Sequence, residues 1–333
     1  MREQARVLWF RRLALLGALL AFGVVVLGAW VRLTDAGLGC PDWPGCYGHL
    51  YPQPGGEVGK AWHEMVHRYV AGTLIAIISA LLVWAVVRRK DRGQPLVPVA
   101  LLFVVVCLQG MLGALTVTLL LKPLIVTGHL LGGLTTLALL WWLAIPPQPC
   151  DLTPKEQGLR AFALAACAVL CVQIFLGGWT STNYAAVACP DFPTCQRSWW
   201  PDMDFRDAFV LQHGLGVDYE GGVLANPARM AIHVTHRLGA TIAGSVLLAL
   251  GLLTLVRAGS RRVAGAGAAV AAAVVLQICI GIATVHFGVP LPLATLHNAG
   301  AALLVVSMVW LLRALWPAAP VGMVPLARAV RSD

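Results

Sequence analysis

Four histidines form two pairs that repeat along the chain. His67 and His129 lie in the first half, and His236 and His297 follow at offsets of 169 and 168 residues. Two neutral imidazoles that face each other across a helix bundle suit axial ligation of a haem iron. The alternatives are core histidines that bond hydroxyls or carbonyls, or a zinc or copper site, which would need further protein ligands. Because both pairs recur in register, we expect two bis-histidine haem sites.

An arginine directly follows the first histidine of each pair. These residues are Arg68 and Arg237. A guanidinium close to the membrane interior needs a partner, and a haem propionate would provide one. The alternative is that each side chain extends to the water interface. We predict that both arginines bind propionates.

One acidic residue distinguishes the two halves. Glu64 precedes His67 by three residues, which places both on one helix face, whereas the second half has His233 at the matching position. A carboxylate at a haem edge can act as a general base or stabilise positive charge. The alternative is that Glu64 caps its helix or pairs with Arg68. We expect Glu64 to be catalytic, so that the first half does chemistry and the second holds a cofactor.

Two loops share the pattern Cys-Pro-Asp-x-Pro-x-Cys, from Cys40 to Cys46 and from Cys189 to Cys195. The prolines restrict each loop and can bring its two sulfurs within bonding distance. We predict the disulfides Cys40–Cys46 and Cys189–Cys195. A zinc site shared by the four cysteines is the alternative.

The composition indicates a membrane protein. Of 333 residues, 59% are hydrophobic and 12% are charged, which excludes a cytosolic enzyme, a disordered tail and a nucleic-acid binder with a basic face. The net charge of +9 therefore reports membrane topology. Eight apolar runs approach or exceed the length that spans a bilayer. They are residues 13–31, 62–87, 96–119, 124–145, 159–181, 230–256, 263–286 and 293–316.

Basic residues predict the orientation of these helices. Lys and Arg concentrate at both termini and in every second connection, and such loops face the cytoplasm. The clusters include Arg92, Arg328 and Arg331. Both termini are therefore expected inside and both cysteine loops outside. A long Ser- and Arg-rich presequence is not seen, so we expect a bacterial plasma membrane.

The sequence indicates an internal duplication. Leu27-Gly-Ala-Trp30 matches Leu176-Gly-Gly-Trp179 at an offset of 149, and Leu108-Gln109 matches Leu276-Gln277 at 168. Both halves start inside, so the repeats are parallel. The fold class is thus all-α integral membrane, with eight transmembrane helices as two parallel four-helix-bundle repeats. Residues 1–150 form the catalytic repeat and residues 151–333 the cofactor repeat.

Together these motifs resemble the haem A synthase family over essentially the whole chain. The resemblance rests on Gly28-Ala-Trp-Val-Arg-Leu-Thr34, the two cysteine loops, Glu64-Met-Val-His67-Arg68, Gly128-His129, His236-Arg237 and His297-Asn298. Each motif is weak alone, and their order and spacing make the set specific. Bacterial members of this family have eight helices in two four-helix repeats.

The resemblance implies a reaction and a division of labour. The family oxidises the C8 methyl of haem O to a formyl group through successive hydroxylations, giving haem A for cytochrome oxidase. It implies that His236 and His297 hold a permanent haem b, and that His67 and His129 bind the substrate haem. Glu64 matches the family's functionally important acid, and the cysteine loops match its disulfide-containing variant. Attack of water near Glu64, after stepwise electron removal, is one mechanism.

The expected partners are the lipid bilayer, the haem O substrate, the upstream haem O synthase (a farnesyltransferase) and an electron acceptor such as quinone, with no nucleic acid. A dihaem b-type electron carrier linked to quinol is the alternative function. Glu64, which has no acidic counterpart at His233, favours the enzyme. A transporter is disfavoured, because histidine pairs have no natural use there.

Overall fold

The computed structural model describes residues 2–53, 58–91, 94–146, 152–211, 214 and 216–316, without the side chains of residues 2 and 3. The predicted domain boundary at residues 150 and 151 lies outside this set. So do Arg92, Arg328 and Arg331 of the predicted basic clusters.

Eight helices within the described residues are long and apolar enough to span a membrane. They are α1 (Arg2–Leu33), α2 (Val58–Val87), α3 (Leu96–Thr118), α4 (Pro123–Ala144), α5 (Arg160–Thr182), α6 (Asn226–Arg257), α7 (Arg261–His286) and α8 (Leu291–Leu315). This confirms the predicted eight-helix membrane fold. Shorter helices at Pro154–Gln157, Ala185–Val187 and Phe205–Ala208 lie in the connections.

Three helices begin four or more residues before the predicted apolar runs. α1 and α2 begin several residues earlier, and α6 begins at Asn226, with a proline in its first turn. Proline is well suited to a first turn, because the amide that it lacks would have no helical partner there. Apolar runs identify the lipid-embedded part of a helix and miss polar turns that continue past it.

The helices pack as two sets of four with matching contacts. In the first set α1 packs on α2 and α4, and α3 packs on the same two helices. In the second set α5 packs on α6 and α8, and α7 packs on those two. Each set has a buried cluster rich in Leu, Val and Ala, and the two clusters meet, because Ala302 of α8 belongs to the first and Ile174 and Val305 pack against both. The matching contacts are compatible with two four-helix repeats, which stay a prediction.

Equivalent residues of the two halves contact each other where the sets meet. Arg32 donates through Nη2 to the carbonyl of Ser181 over 3.0 Å, and Tyr184 donates to Asp35 Oδ1, also over 3.0 Å. Each contact joins positions that are 149 residues apart, the offset found for the matching Leu-Gly-x-Trp segments. Contacts between equivalent positions are expected beside a twofold axis, so these favour a parallel arrangement with the axis close to the ends of α1 and α5.

Candidate functional site

The structure brings the four repeated histidines together as two facing pairs. The ring centres of His67 on α2 and His129 on α4 are 6.4 Å apart, with an interplanar angle of 78°. Those of His236 on α6 and His297 on α8 are 6.5 Å apart, at 86°. An iron between two imidazoles requires about 6 Å between ring centres, from bonds of about 2 Å and a further 1 Å or so to each centre. Both separations fit an iron between the rings.

Unpartnered ring nitrogens support this fit. Nδ1 of His67, His129 and His297 is buried and has no hydrogen-bond partner within the described part of the chain. Buried polar atoms in proteins nearly always have a partner, so these nitrogens are available to a ligand. Among the same residues, no three His, Cys, Asp or Glu side chains are grouped to hold a metal ion. A haem iron needs only two histidines, because the porphyrin supplies four nitrogens.

Each histidine ring packs against a glycine of a neighbouring helix. A Cβ at Gly28 on α1 would lie 3.0 Å from His67 Cε1, and one at Gly177 on α5 would lie 3.1 Å from His236 Cε1. The same arrangement holds for the second member of each pair. It places Gly113 of α3 beside His129, at 3.5 Å, and Gly281 of α7 beside His297, at 3.0 Å. The neighbouring helix therefore leaves space for each ring.

Glu64 is a buried carboxylate with both oxygens engaged. Only 5% of the residue is exposed. Oε1 forms an ion pair with Arg68, and Oε2 accepts a hydrogen bond of 2.8 Å from the backbone amide of Cys40. The pairing with Arg68 that the sequence left open is thus present, and it is compatible with a catalytic role. At the matching position, His233 is buried too, with Nδ1 unpartnered among the described residues.

The two arginines hold the cysteine loops. Arg68 donates through Nη1 to the carbonyls of Asp42 (2.9 Å), Pro44 (3.2 Å) and Gly45. Arg237 donates to the carbonyls of Thr194 (2.8 Å), Cys189 (3.0 Å) and Asp191 (2.9 Å). Sequence reasoning missed these contacts, and propionate binding by either arginine stays a prediction. Arg237 keeps a buried Nε without a partner in the described residues.

Each cysteine loop is closed by a disulfide, Cys40–Cys46 and Cys189–Cys195. The aspartate of the shared motif organises the loop from within. Asp42 accepts the backbone amides of Tyr47 (2.6 Å) and Gly48 (2.8 Å), and the hydrogen bond from Gly48 is the main cause that lowers its pKa.

Asp191 binds the amides of Gln196 (2.7 Å) and Arg197 (3.0 Å) in the same way. The hydroxyl of Thr194 is the main cause that lowers the pKa of Asp191. Sequence reasoning gave these aspartates no role, although the repeated Cys-Pro-Asp contained the signal.

Comparisons with known proteins show the family of this chain. A family model of cytochrome oxidase assembly proteins, COX15-CtaA, matches residues 11–309, which include both histidine pairs. A protein of Shewanella oneidensis named Heme A synthase is 39% identical over 92% of this chain and 96% of its own. Proteins of the same name from Halalkalibacterium halodurans and Rhizorhabdus wittichii are 31% identical, over 57% of this chain and 66% of the relative, and 27% identical, over 89% and 91%. This chain belongs to the COX15-CtaA family of cytochrome oxidase assembly proteins.

Proposed function

We propose that this protein is a haem A synthase, a membrane oxidoreductase that converts the C8 methyl of haem O to a formyl group through hydroxylated intermediates. The observation that carries the proposal is the repeated pair of facing histidines, 6.4 and 6.5 Å between ring centres, in a chain of this family. The haem A that it forms serves terminal oxidases.

We assign haem O to the first pair and a resident haem b to the second. His67 and His129 then bind the substrate, and His236 and His297 hold the cofactor, which supplies one-electron chemistry when bound. Glu64 supports the division, because only the first pair has a buried carboxylate one helical turn away. Its counterpart in the second half, His233, cannot supply a negative charge.

The contacts of Glu64 favour stabilisation of charge as its main contribution. Arg68 and the Cys40 amide both interact with its oxygens, which favours the ionised carboxylate. Withdrawal of electrons from haem O builds positive charge at the methyl group, and a fixed buried anion lowers the free energy of that state. Each oxygen also retains a lone pair that can accept a hydrogen bond from water, so Glu64 can orient the water whose oxygen enters the product.

The proposed reaction requires an electron acceptor and a source of haem O. Hydroxylation by water releases electrons, which must leave through an acceptor, and a membrane quinone is our candidate. The substrate is hydrophobic and would come from the haem O synthase in the same membrane. We place both termini in the cytoplasm and both cysteine loops on the outer face of a bacterial plasma membrane, as the distribution of Lys and Arg indicates.

Extraction of haem from cells tests this function. Cells that make haem O, but have no other haem A synthase, would express the chain, and the extracted haem would be analysed by mass spectrometry. We expect hydroxylated and formyl haem. A folded, haem-loaded protein that leaves haem O unchanged would contradict the proposal and would favour a dihaem electron carrier.

A further inference from the structure

Glutamine amides contact two of the four repeated histidines, each through the backbone carbonyl and one ring nitrogen, which is Nδ1 in His236 and Nε2 in His297. Gln173 of α5 donates through Nε2 to the carbonyl of His236 (3.1 Å) and lies 3.0 Å from its Nδ1. Gln277 of α7 donates to the carbonyl of His297 (3.0 Å) and lies 3.3 Å from its Nε2. In each case the amide contacts one ring nitrogen and leaves the other free of that contact.

A glycine makes room for each of these amides. It lies three residues after the histidine, at Gly239 and Gly300, and a Cβ at either position would collide with the amide oxygen of the glutamine. We call this combination of glutamine and glycine the amide notch. Gln109 of α3 lies at the matching glycine, Gly132, three residues after His129, where a Cβ would collide with Nε2 of its amide. Its Oε1 has no hydrogen-bond partner among the described residues.

The fourth histidine has no amide notch. The positions that match Gln173 and Gly239, at the repeat offsets of 149 and 169, are Val24 and Val70. Valine has no hydrogen-bonding group, and its side chain fills the space that glycine leaves open. His67 keeps the glycine against its ring, Gly28. Its Nδ1 has no hydrogen-bond partner among the described residues, as is also the case for His129 and His297. The repeat is therefore preserved around three ligands and broken at one.

We propose that the three glutamines are positioning residues that fix His129, His236 and His297 as axial ligands, and that His67 is the exchangeable ligand. Gln173 and Gln277 each donate to the backbone carbonyl of the histidine and lie against its ring. Contacts of this kind fix the orientation of a ligating imidazole and raise the affinity for the metal. The inference rests on the proposed function, in which one haem must enter and leave while the other stays.

The chemistry of turnover explains why only one ligand would lack this support. A substrate haem held by two fixed histidines would leave slowly after its conversion. With His129 fixed and His67 free to turn away, the first site keeps one anchor for orientation and has one bond that can open. The second site has two fixed ligands, as a permanent cofactor requires.

The first test builds an amide notch beside His67. The full-length chain and its Val24→Gln/Val70→Gly variant would be purified in lipid nanodiscs, loaded with haemin and mixed with excess apomyoglobin. Haem transfer is followed by absorbance. For the parent chain we expect a fast and a slow phase, and His67→Ala should remove the fast one. The graft should slow the fast phase about tenfold, the lower end of what the residues that contact a metal ligand contribute to metal affinity. Val70→Gly alone is the matched control, because it opens the space without supplying an amide.

The second test removes an amide from the second half. Gln173→Met fills the notch with a side chain of similar length that makes no comparable hydrogen bond. We expect the slow phase of haem transfer to accelerate about tenfold, together with a shift of the low-spin electron paramagnetic resonance signal of that haem.

Each outcome decides the inference. An unchanged fast phase in a folded graft variant overturns the assignment of His67. If Gln173→Met leaves both the slow phase and the resonance signal unchanged, the glutamines only fill space, and that part of the proposal is wrong. This second test does not use the Val24→Gln/Val70→Gly variant, so it decides the inference even if that variant does not fold. Two release phases with the expected shifts, but without conversion of haem O in cells, would reject the proposed enzymatic function. The inferred difference between His67 and the other three histidines would still hold.

Discussion

The two halves of this molecule share a framework and differ around one ligand. In both, a histidine pair faces across the bundle at nearly the same separation, and an arginine holds a disulfide-closed loop. The differences are Glu64 in place of His233, and Val24 and Val70 in place of an amide notch. All of them lie on α1 and α2, near His67. The comparison suggests that the shared framework serves to hold a haem, whereas turnover depends on a fixed charge and a less constrained ligand beside one histidine.

Removal of an axial histidine should give the largest effect and should separate the halves. His236→Ala deletes one of the two proposed ligands of the second haem, and we expect the purified protein to lose that haem. His67→Ala should abolish haem A formation while the second haem remains, because the proposed ligands of that haem lie on other helices, α6 and α8. Pyridine haemochrome spectra measure the haem content, and mass spectrometry of extracted haem measures the product.

His286→Ala is the matched control, since His286 is exposed and does not belong to the repeat. It should change neither quantity. If His67→Ala removed both haems and His236→Ala removed neither, the proposed division of labour would be wrong.

Loss of the charge on Glu64 should be the next largest effect. Glu64→Gln keeps the shape and an oxygen that can accept from the Cys40 amide, and it removes the anion. We expect haem A formation to fall about a hundredfold, the lower end of what one acid–base or charged group contributes, with both haems retained. The rate of conversion per bound haem is the measurement.

Glu156→Gln provides a matched control for this substitution. Glu156 is also a buried carboxylate that accepts backbone amides, those of Thr153 and Gly259, at 2.8 and 2.9 Å. It lies outside both histidine pairs, so the conversion per folded protein should not change. A normal rate for Glu64→Gln would show that the difference between the halves does not depend on this charge.

The two disulfides should differ in consequence, although their loops are alike. Cys40 contacts the site directly, because its backbone amide donates a hydrogen bond to Glu64 Oε2. The double variant Cys40→Ser/Cys46→Ser should therefore lower conversion several-fold, through displacement of the carboxylate, as well as stability. For Cys189→Ser/Cys195→Ser we expect a loss of stability of about 2 kcal/mol from chain entropy and near-normal conversion. Thermal unfolding and product formation, measured on the same samples, separate the two effects. Equal loss of conversion in both variants would contradict the link through Cys40.

Much of this comparison was readable from the sequence. Apolar length predicted eight helices, which are confirmed, and the histidine offsets predicted which rings would face each other. The contacts of Arg68 and Arg237 were not predictable, because they are made to loop carbonyls whose directions depend on the folded Cys-Pro-Asp turns. The amide notch was half visible, since Gln109 and Gln277 match at the repeat offset. The sequence did not show that these glutamines lie beside the histidines. That depends on which faces of α3 and α7 pack against α4 and α8, and helical periodicity does not specify this in so apolar a chain.

The loop aspartates should give the smallest effect and a characteristic pH profile. Asp42 and Asp191 are ionised acceptors of backbone amides, and their pKa values are lowered, mainly by Gly48 and by Thr194 respectively. A carboxyl whose pKa is lowered by folding stabilises the folded state at pH above its unfolded pKa, and this stabilisation is lost as the pH falls through the folded value. The stability difference between the parent chain and Asp42→Asn or Asp191→Asn should therefore be constant from about pH 8 to 5 and shrink below about pH 4. Thermal unfolding across this range measures it. Only Asp42→Asn should also lower conversion, by a small factor, because its loop includes the amide that binds Glu64. A stability difference that changes between pH 6 and 8 would mean that another titrating group governs these loops.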